Sequence, residues 1–143
     1  MNCMKGKAFV DTNVLVYAHD RFAGDKFEQA RQVLATLWNE KRGVLSTQVL
    51  QEFCVNVRRK ARHPLGWDEV RDAVLDYLNW ETVENSAEAV LRAMDLERRF
   101  QISFWDAMIV QAAESAGCEV LYSEDLSHGQ EYGGVLVVNP FLV

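Results

Sequence analysis

The sequence predicts an α/β fold: a small parallel sheet of four or five short strands, flanked by helices. Three observations predict it. Short apolar runs alternate with longer amphipathic segments along the whole chain, and such alternation builds parallel sheets covered on both faces. Helical segments outweigh strand candidates, which keeps the sheet small. The length, 143 residues, suits a single domain over 1–143 with one core.

The first strand is the run Lys7-Ala8-Phe9-Val10, which ends abruptly in Asp11, with Thr12 and Asn13 behind it. A buried strand that delivers a carboxylate to its C-terminal end and turns into a helix over 13–19 fits this run. In open parallel sheets that end is where ligands bind. Asp, Thr and Asn are also favoured caps and turn residues, so the same stretch reads equally well as a plain helix start.

A loop around Gly24 leads to a helix over 26–40, with Phe27, Ala30, Leu34, Leu37 and Trp38 at spacings of three and four. Gly43 breaks it. Val44-Leu45 forms a short strand, and Ser46 or Thr47 caps a helix to about residue 62, ended by His63-Pro64-Leu65-Gly66. The next helix spans 67–78, with Val70, Val74, Leu75 and Leu78 as its apolar face. A short strand at 80–83 precedes Ser86, which caps a helix over 87–100. Another helix runs 104–116 and is closed by Gly117. Strands at 119–122 and 135–138 flank an acidic, glycine-bearing loop over 123–134, and Asn139-Pro140 terminates the last strand.

Composition narrows the function classes. The net charge is −6 and the pI about 5.0, the wrong overall sign for a nucleic-acid binder, although the field that matters is local. Positive charge clusters at Lys41-Arg42, Arg58-Arg59-Lys60 with Arg62, and Arg98-Arg99. Each cluster also reads as a solvated helix end favoured by the helix dipole. Cys3, Cys54 and Cys118 are unpaired in spacing, which argues against a disulfide framework or zinc site and fits a reducing cytoplasm. Cys54 and Cys118 read as small core residues. No signal peptide precedes the first strand, and no apolar segment is long enough to span a membrane.

The informative residues are acids. Asp11 follows the first strand, Glu52 lies in the helix after the second, Asp106 opens a helix, and Asp125 follows the fourth strand with Glu124 beside it. Acids converging on one crevice repel one another unless a cation sits among them, and hard oxygen donors with positions left to water suit Mg²⁺ or Mn²⁺. Such a centre can activate water for in-line attack on a phosphodiester. Each acid has a plainer reading. Ser103 and Asp106 make a capping-box spacing, Glu52 can join Gln48 and Asn56 in a solvated polar row, and Asp125 can sit in a turn. Their joint placement is what carries the metal reading.

His19, His63 and His128 lack ligand spacing and read as surface or loop residues. There is no phosphate-binding glycine loop and no nucleophile elbow. The four tryptophans read as core, with Trp105, beside Asp106, the one placed to contact a base.

These residues resemble the PIN-domain ribonucleases, and within them the VapC-type toxins of toxin–antitoxin pairs. The resemblance is carried by Phe9-Val10-Asp11-Thr12-Asn13-Val14-Leu15, Ser46-Thr47-Gln48-Val49-Leu50-Gln51-Glu52-Phe53, Phe104-Trp105-Asp106-Ala107-Met108-Ile109 and Leu121-Tyr122-Ser123-Glu124-Asp125-Leu126, in that order over essentially the whole chain. The closing Val138-Asn139-Pro140-Phe141 also looks like the family's end. The resemblance implies a three-layer PIN-like domain with an acidic pocket of Asp11, Glu52, Asp106 and Asp125 binding Mg²⁺ or Mn²⁺. Asp11 and Asp106 would be its direct ligands. Thr12 or Asn13, and Ser123, would orient the acids or water. It implies endonucleolytic hydrolysis of single-stranded or structured RNA to a 5′-phosphate and a 3′-hydroxyl. Its implied partners are a second copy of the chain and a small antitoxin that blocks the pocket, with no membrane.

Glu124 departs from the family pattern and leaves open which of the two adjacent acids faces a metal. Two other functions compete: a non-catalytic PIN-like module that binds RNA or protein, and a phosphoacceptor signalling domain. The second would need a lysine ending a late strand, and no lysine follows Lys60.

Overall fold

In the computed structural model, which describes residues 6–59 and 64–142, the first strand is β1 (Ala8–Val10), and it is buried along its whole length. From it the chain runs through α1 (Thr12–Ala18), α2 (Asp25–Glu40), β2 (Gly43–Ser46), α3 (Thr47–Arg59) and α4 (Trp67–Tyr77) to β3 (Glu81–Val83). It returns through α5 (Ala87–Phe100) and α6 (Phe104–Ser115) to β4 (Val120–Tyr122), β5 (Glu131–Tyr132) and β6 (Val135–Val138).

The strand order is β3-β2-β1-β4-β6-β5. Every pair is parallel except β5 with β6. Right-handed crossovers that step outward from β1 to β3 put α1–α4 on one face, and the return from β3 to β4 puts α5 and α6 on the other. The packing agrees: α1 contacts α2 and α3, α3 contacts α4, and α5 lies along α6. The chain reverses its direction of travel between β1 and β4, which opens a crevice at their carboxyl ends. Register fixes what meets there. Val10 pairs with Tyr122, so Asp11 and Ser123, one step further on, emerge side by side.

The α/β class holds, and all five expected strands are present. β5 is a sixth, inside the stretch read as loop. Two residues are too short to show a period-2 pattern, and β5 exists by pairing with β6 across a turn through Gly133 and Gly134, both at positive φ.

Other expectations are corrected. Lys41, not Gly43, ends α2, by entering the left-handed region at φ 57°. Gly43 instead opens β2, where a Cβ would overlap the Trp80 ring. On α4 the buried side is Val70 and Tyr77, whereas Leu75 and Leu78 are 51% and 53% exposed. A helix turns about 100° per residue, so a face centred on 70, 73/74 and 77 leaves 75 and 78 pointing away. Cys118 is buried as expected, but Cys54 is only partly so. Trp38, Trp67 and Trp105 are exposed rather than core. His19 sits in the turn after α1, a loop position as expected, but is only partly exposed: it packs edge-on against Phe53 and Tyr77 and lies 2.8 Å from the Tyr77 hydroxyl. His63 and the expected end of the third helix near Arg62 lie outside the described residues. Among the described residues no helix is long and apolar enough to cross a membrane.

Candidate active site

Four segments meet at the carboxyl end of the sheet, and all four expected acids line one cleft of about 230 Å³. Asp11 forms its floor, Glu52 and Asp106 are half-buried on its walls, and Asp125 is exposed at its rim.

Asp11 ends β1 with extended backbone and caps α1: its Oδ1 accepts the Thr12 N–H at 2.7 Å. Its Oδ2 accepts the Ser123 hydroxyl at 2.9 Å, the contact that the β1–β4 register makes possible. The cap and the acid at the end of the strand are one residue with two duties. At 5% exposure, burial pushes the Asp11 carboxyl up to about 7. The Thr12 N–H and Ser123 hydroxyl oppose this, and the charges of Asp125 and Glu52 add to it. Two donors do not replace the water this carboxylate lost.

Glu52 reaches the cleft from α3. Thr12 Oγ1 donates to its Oε1 at 2.6 Å, and Gln48 Nε2, one turn earlier, makes a long 3.4 Å bond to its Oε2. The polar row of Gln48, Glu52 and Asn56 therefore faces the cleft and not bulk solvent. Gln48 is only 6% exposed and also donates to the Trp105 carbonyl at 3.2 Å. Both neighbours of its nitrogen are acceptors, which fixes the amide orientation. Among the described residues, Gln48 Oε1 is the buried side-chain oxygen left without a partner. Such an orphan typically costs about 1–3 kcal/mol.

Ser103 caps α6, its Oγ accepting the Asp106 N–H at 3.1 Å, and the Asp106 carboxyl lines the cleft. Burial raises the pKa of Asp106, the Ser103 hydroxyl opposes the shift, and Glu52 adds to it. Asp125 is held by Asn13 Nδ2, 3.3 Å from Oδ1 and 3.2 Å from Oδ2. Its pKa is raised by burial, then by the charges of Asp106, Glu124 and Glu52, against the Asn13 bond.

The two adjacent acids turn different ways. Glu124 points away from the cleft, accepts the Tyr17 hydroxyl at 2.9 Å and pairs with Lys26. Lys26 also lies over the rings of Tyr17 and Phe141. Asp125 is the acid that lines the cleft.

Every charged group facing this space is a carboxylate; no described residue lining it is cationic, and none is His or Cys. That donor set fits a hard divalent cation and not zinc. Among the described residues no group of three His, Cys, Asp or Glu side chains is placed to hold a metal ion as it stands. Of the basic cluster Arg58-Arg59-Lys60 with Arg62, neither Arg58 nor Arg59 lines the cleft. Arg58 bonds back to the Cys54 carbonyl and lines an apolar groove between α3 and α4, while Lys60 and Arg62 lie outside the described residues. Gln48 is the cleft residue whose place the sequence concealed, although its four-residue offset from Glu52 was a signal. The Asn139 N–H donates to His128 Nδ1 at 3.0 Å, which ties the loop before β5 to the residue that follows β6.

A family model described as PIN domain matches residues 8–129. No curated protein sequence matches the chain significantly. Among solved structures, a toxin–antitoxin complex from Klebsiella pneumoniae superposes with a TM-score of 0.70 at 20% identity, over 96% of this chain and 100% of that one. A VapC toxin from Mycobacterium tuberculosis described as cleaving the sarcin-ricin loop gives 0.64 at 20%, over 83% and 90%. DNA-bound VapBC from Salmonella typhimurium gives 0.64 at 18%, over 92% and 96%. At these identities the likeness is one of fold.

Proposed function

The chain belongs to the PIN-domain family, and from that premise we propose that it is a metal-dependent endoribonuclease acting as the toxin of a toxin–antitoxin pair. The observation that carries this reading is the gathering of Asp11, Glu52, Asp106 and Asp125, from four separate segments, into one cleft free of described cationic groups. A family member without catalysis would have no need to keep four mutually repelling acids together.

In this reading Asp11 and Asp106 hold Mg²⁺ or Mn²⁺, with Glu52 and Asp125 completing the pocket directly or through water. The bound ion supplies charge neutralisation and a water of lowered pKa for attack on the phosphodiester. The chain's own residues do the rest. Ser123 and the Thr12 N–H fix the Asp11 carboxylate, the Thr12 hydroxyl fixes Glu52, and Asn13 fixes Asp125. Glu52 Oε2, engaged among the described residues only by the long Gln48 bond, would accept a proton from the attacking water, and solvent would supply one to the leaving 3′ oxygen. The products are a 5′-phosphate and a 3′-hydroxyl. Because the metal-free cleft repels RNA, the cation is needed for substrate binding as well as for chemistry.

The toxin part of the proposal is supported by the fold likeness to VapC and toxin–antitoxin structures. It brings with it a cytoplasmic, single-domain protein over 1–143, a homodimer and a small antitoxin partner. The test is cleavage of labelled RNA in Mg²⁺, Mn²⁺ or EDTA by wild type and Asp11→Asn. Metal-dependent cleavage lost in the variant supports the reading, and equal cleavage by both proteins sinks it.

A further inference from the structure

Trp105 is 64% exposed, yet it is firmly placed. It lines the cleft beside Asp106, Phe104 packs edge-on against its ring with centroids 5.4 Å apart, and its carbonyl is tied to Gln48 across the cleft wall. The fold keeps that tie even though it leaves Gln48 Oε1 without a partner. The other exposed tryptophans have different surroundings: Trp38 packs on Tyr77 and Trp80, and Trp67 borders the α3–α4 groove.

On the ribonuclease reading, this cleft has a binding problem. None of its described lining residues is cationic, and its four acids repel a phosphate wherever a bound cation does not neutralise them. A contact that does not depend on charge adds to what the cation supplies, and base stacking on an aromatic ring is such a contact, tolerant of sequence because every base has a π-face. We infer that Trp105 is the stacking platform for an unpaired nucleobase of the RNA strand whose scissile phosphate enters the cleft. The subsite requires a base with a free face, so it selects single-stranded or looped RNA over continuous duplex.

The test uses the full chain in Mg²⁺, with a short single-stranded RNA carrying phosphorothioate linkages to slow cleavage, and its abasic counterpart. Binding is read by anisotropy and by quenching of tryptophan fluorescence. Trp105→Ala should weaken binding of the base-bearing strand by about tenfold or more, and Trp105→Phe should retain most of the affinity while losing most of the quench. The abasic strand should bind wild type and Trp105→Ala equally weakly. Unchanged affinity in Trp105→Ala, or equal losses on both strands, overturns the inference and leaves the nuclease reading standing. So does a variant that keeps RNA affinity but loses self-association, which would assign the ring to a protein interface. Failure of wild type to bind either strand would overturn both readings together.

Discussion

Asn13 and Tyr17 stand one turn apart on α1 and hold consecutive acids of one loop: Asn13 donates to Asp125, and Tyr17 donates to Glu124. Residues four apart share a helix face, so α1 acts as a ruler that splays two neighbouring carboxylates. Lys26 completes the arrangement by pairing with Glu124. One acid is thereby neutralised outside the cleft and the other is left facing it. We expect Asp125→Asn to lower RNA cleavage by about 100-fold and Glu124→Gln by about tenfold or less, the scale on which groups supporting a metal site act. Lys26→Met should also lower activity, by releasing an unpaired Glu124 charge beside Asp125. Steady-state cleavage of one labelled substrate by the three variants checks this, and Glu124→Gln matching Asp125→Asn would refute the division of labour.

The Asp11 carboxyl sets a pH dependence with a definite sign. Its pKa rises from an ordinary 3.8 to about 7 on folding, with burial as the main cause. Between those values the folded, metal-free protein holds a proton that the unfolded chain has released, so stability falls as pH rises through the window. The full span corresponds to about 4 kcal/mol. The raised pKa values of Asp106 and Asp125 act in the same direction. In EDTA, the melting temperature of wild type should drop from pH 5 to pH 8 more steeply than that of Asp11→Asn. Mg²⁺ or Mn²⁺ should flatten the wild-type slope and release protons on binding. Parallel slopes for the two proteins would remove Asp11 as the cause.

The elements that carry the site were readable because their signals are local. A buried strand ending in Asp11, a Ser103–Asp106 cap and a helix beginning after Ser46 each announce themselves within a few residues, and the structure keeps each capping reading alongside the cleft reading. What was hidden depends on partners distant in sequence. Lys26 and Glu124 are 98 positions apart, and nothing near Glu124 tells which way it turns. Hydrophobicity places Leu75, Leu78 and all four tryptophans in the core, yet both leucines and three of the tryptophans are exposed, because it does not say where a helix face ends. β5 comes from pairing alone, and the break after α2 fell on Lys41 because a left-handed residue need not be glycine.

Thr12 joins α1 to α3 through its 2.6 Å bond to Glu52. Thr12→Val keeps the shape and removes the hydroxyl, leaving one oxygen of a half-buried carboxylate without its donor. We expect a loss of about 1–2 kcal/mol in stability and about tenfold in activity. Thr12→Ser should recover most of both. Chemical denaturation and cleavage rates measured on the same preparations check this. A Thr12→Val protein as active as wild type would show that Glu52 needs no orientation.

Gln48 gives a sharper test, because stability and activity should move in opposite directions. Its amide nitrogen serves Glu52 and Trp105, while its Oε1 sits buried and unpaired. Gln48→Met has similar length, fills the same space and carries no polar atom to leave unsatisfied. Removing the orphan acceptor offsets the loss of two modest hydrogen bonds, so stability should hold or rise by about 1 kcal/mol. The same change frees Glu52 and the first turn of α6, and cleavage should fall about tenfold or more. A residue that only filled space would not show this split, since a methionine of matching volume would leave both quantities alone. Structural elements that serve a site commonly trade stability for function in this way. Urea unfolding and RNA cleavage on the same Gln48→Met preparation decide it, and a variant that loses stability and activity in proportion would make Gln48 an ordinary packing residue.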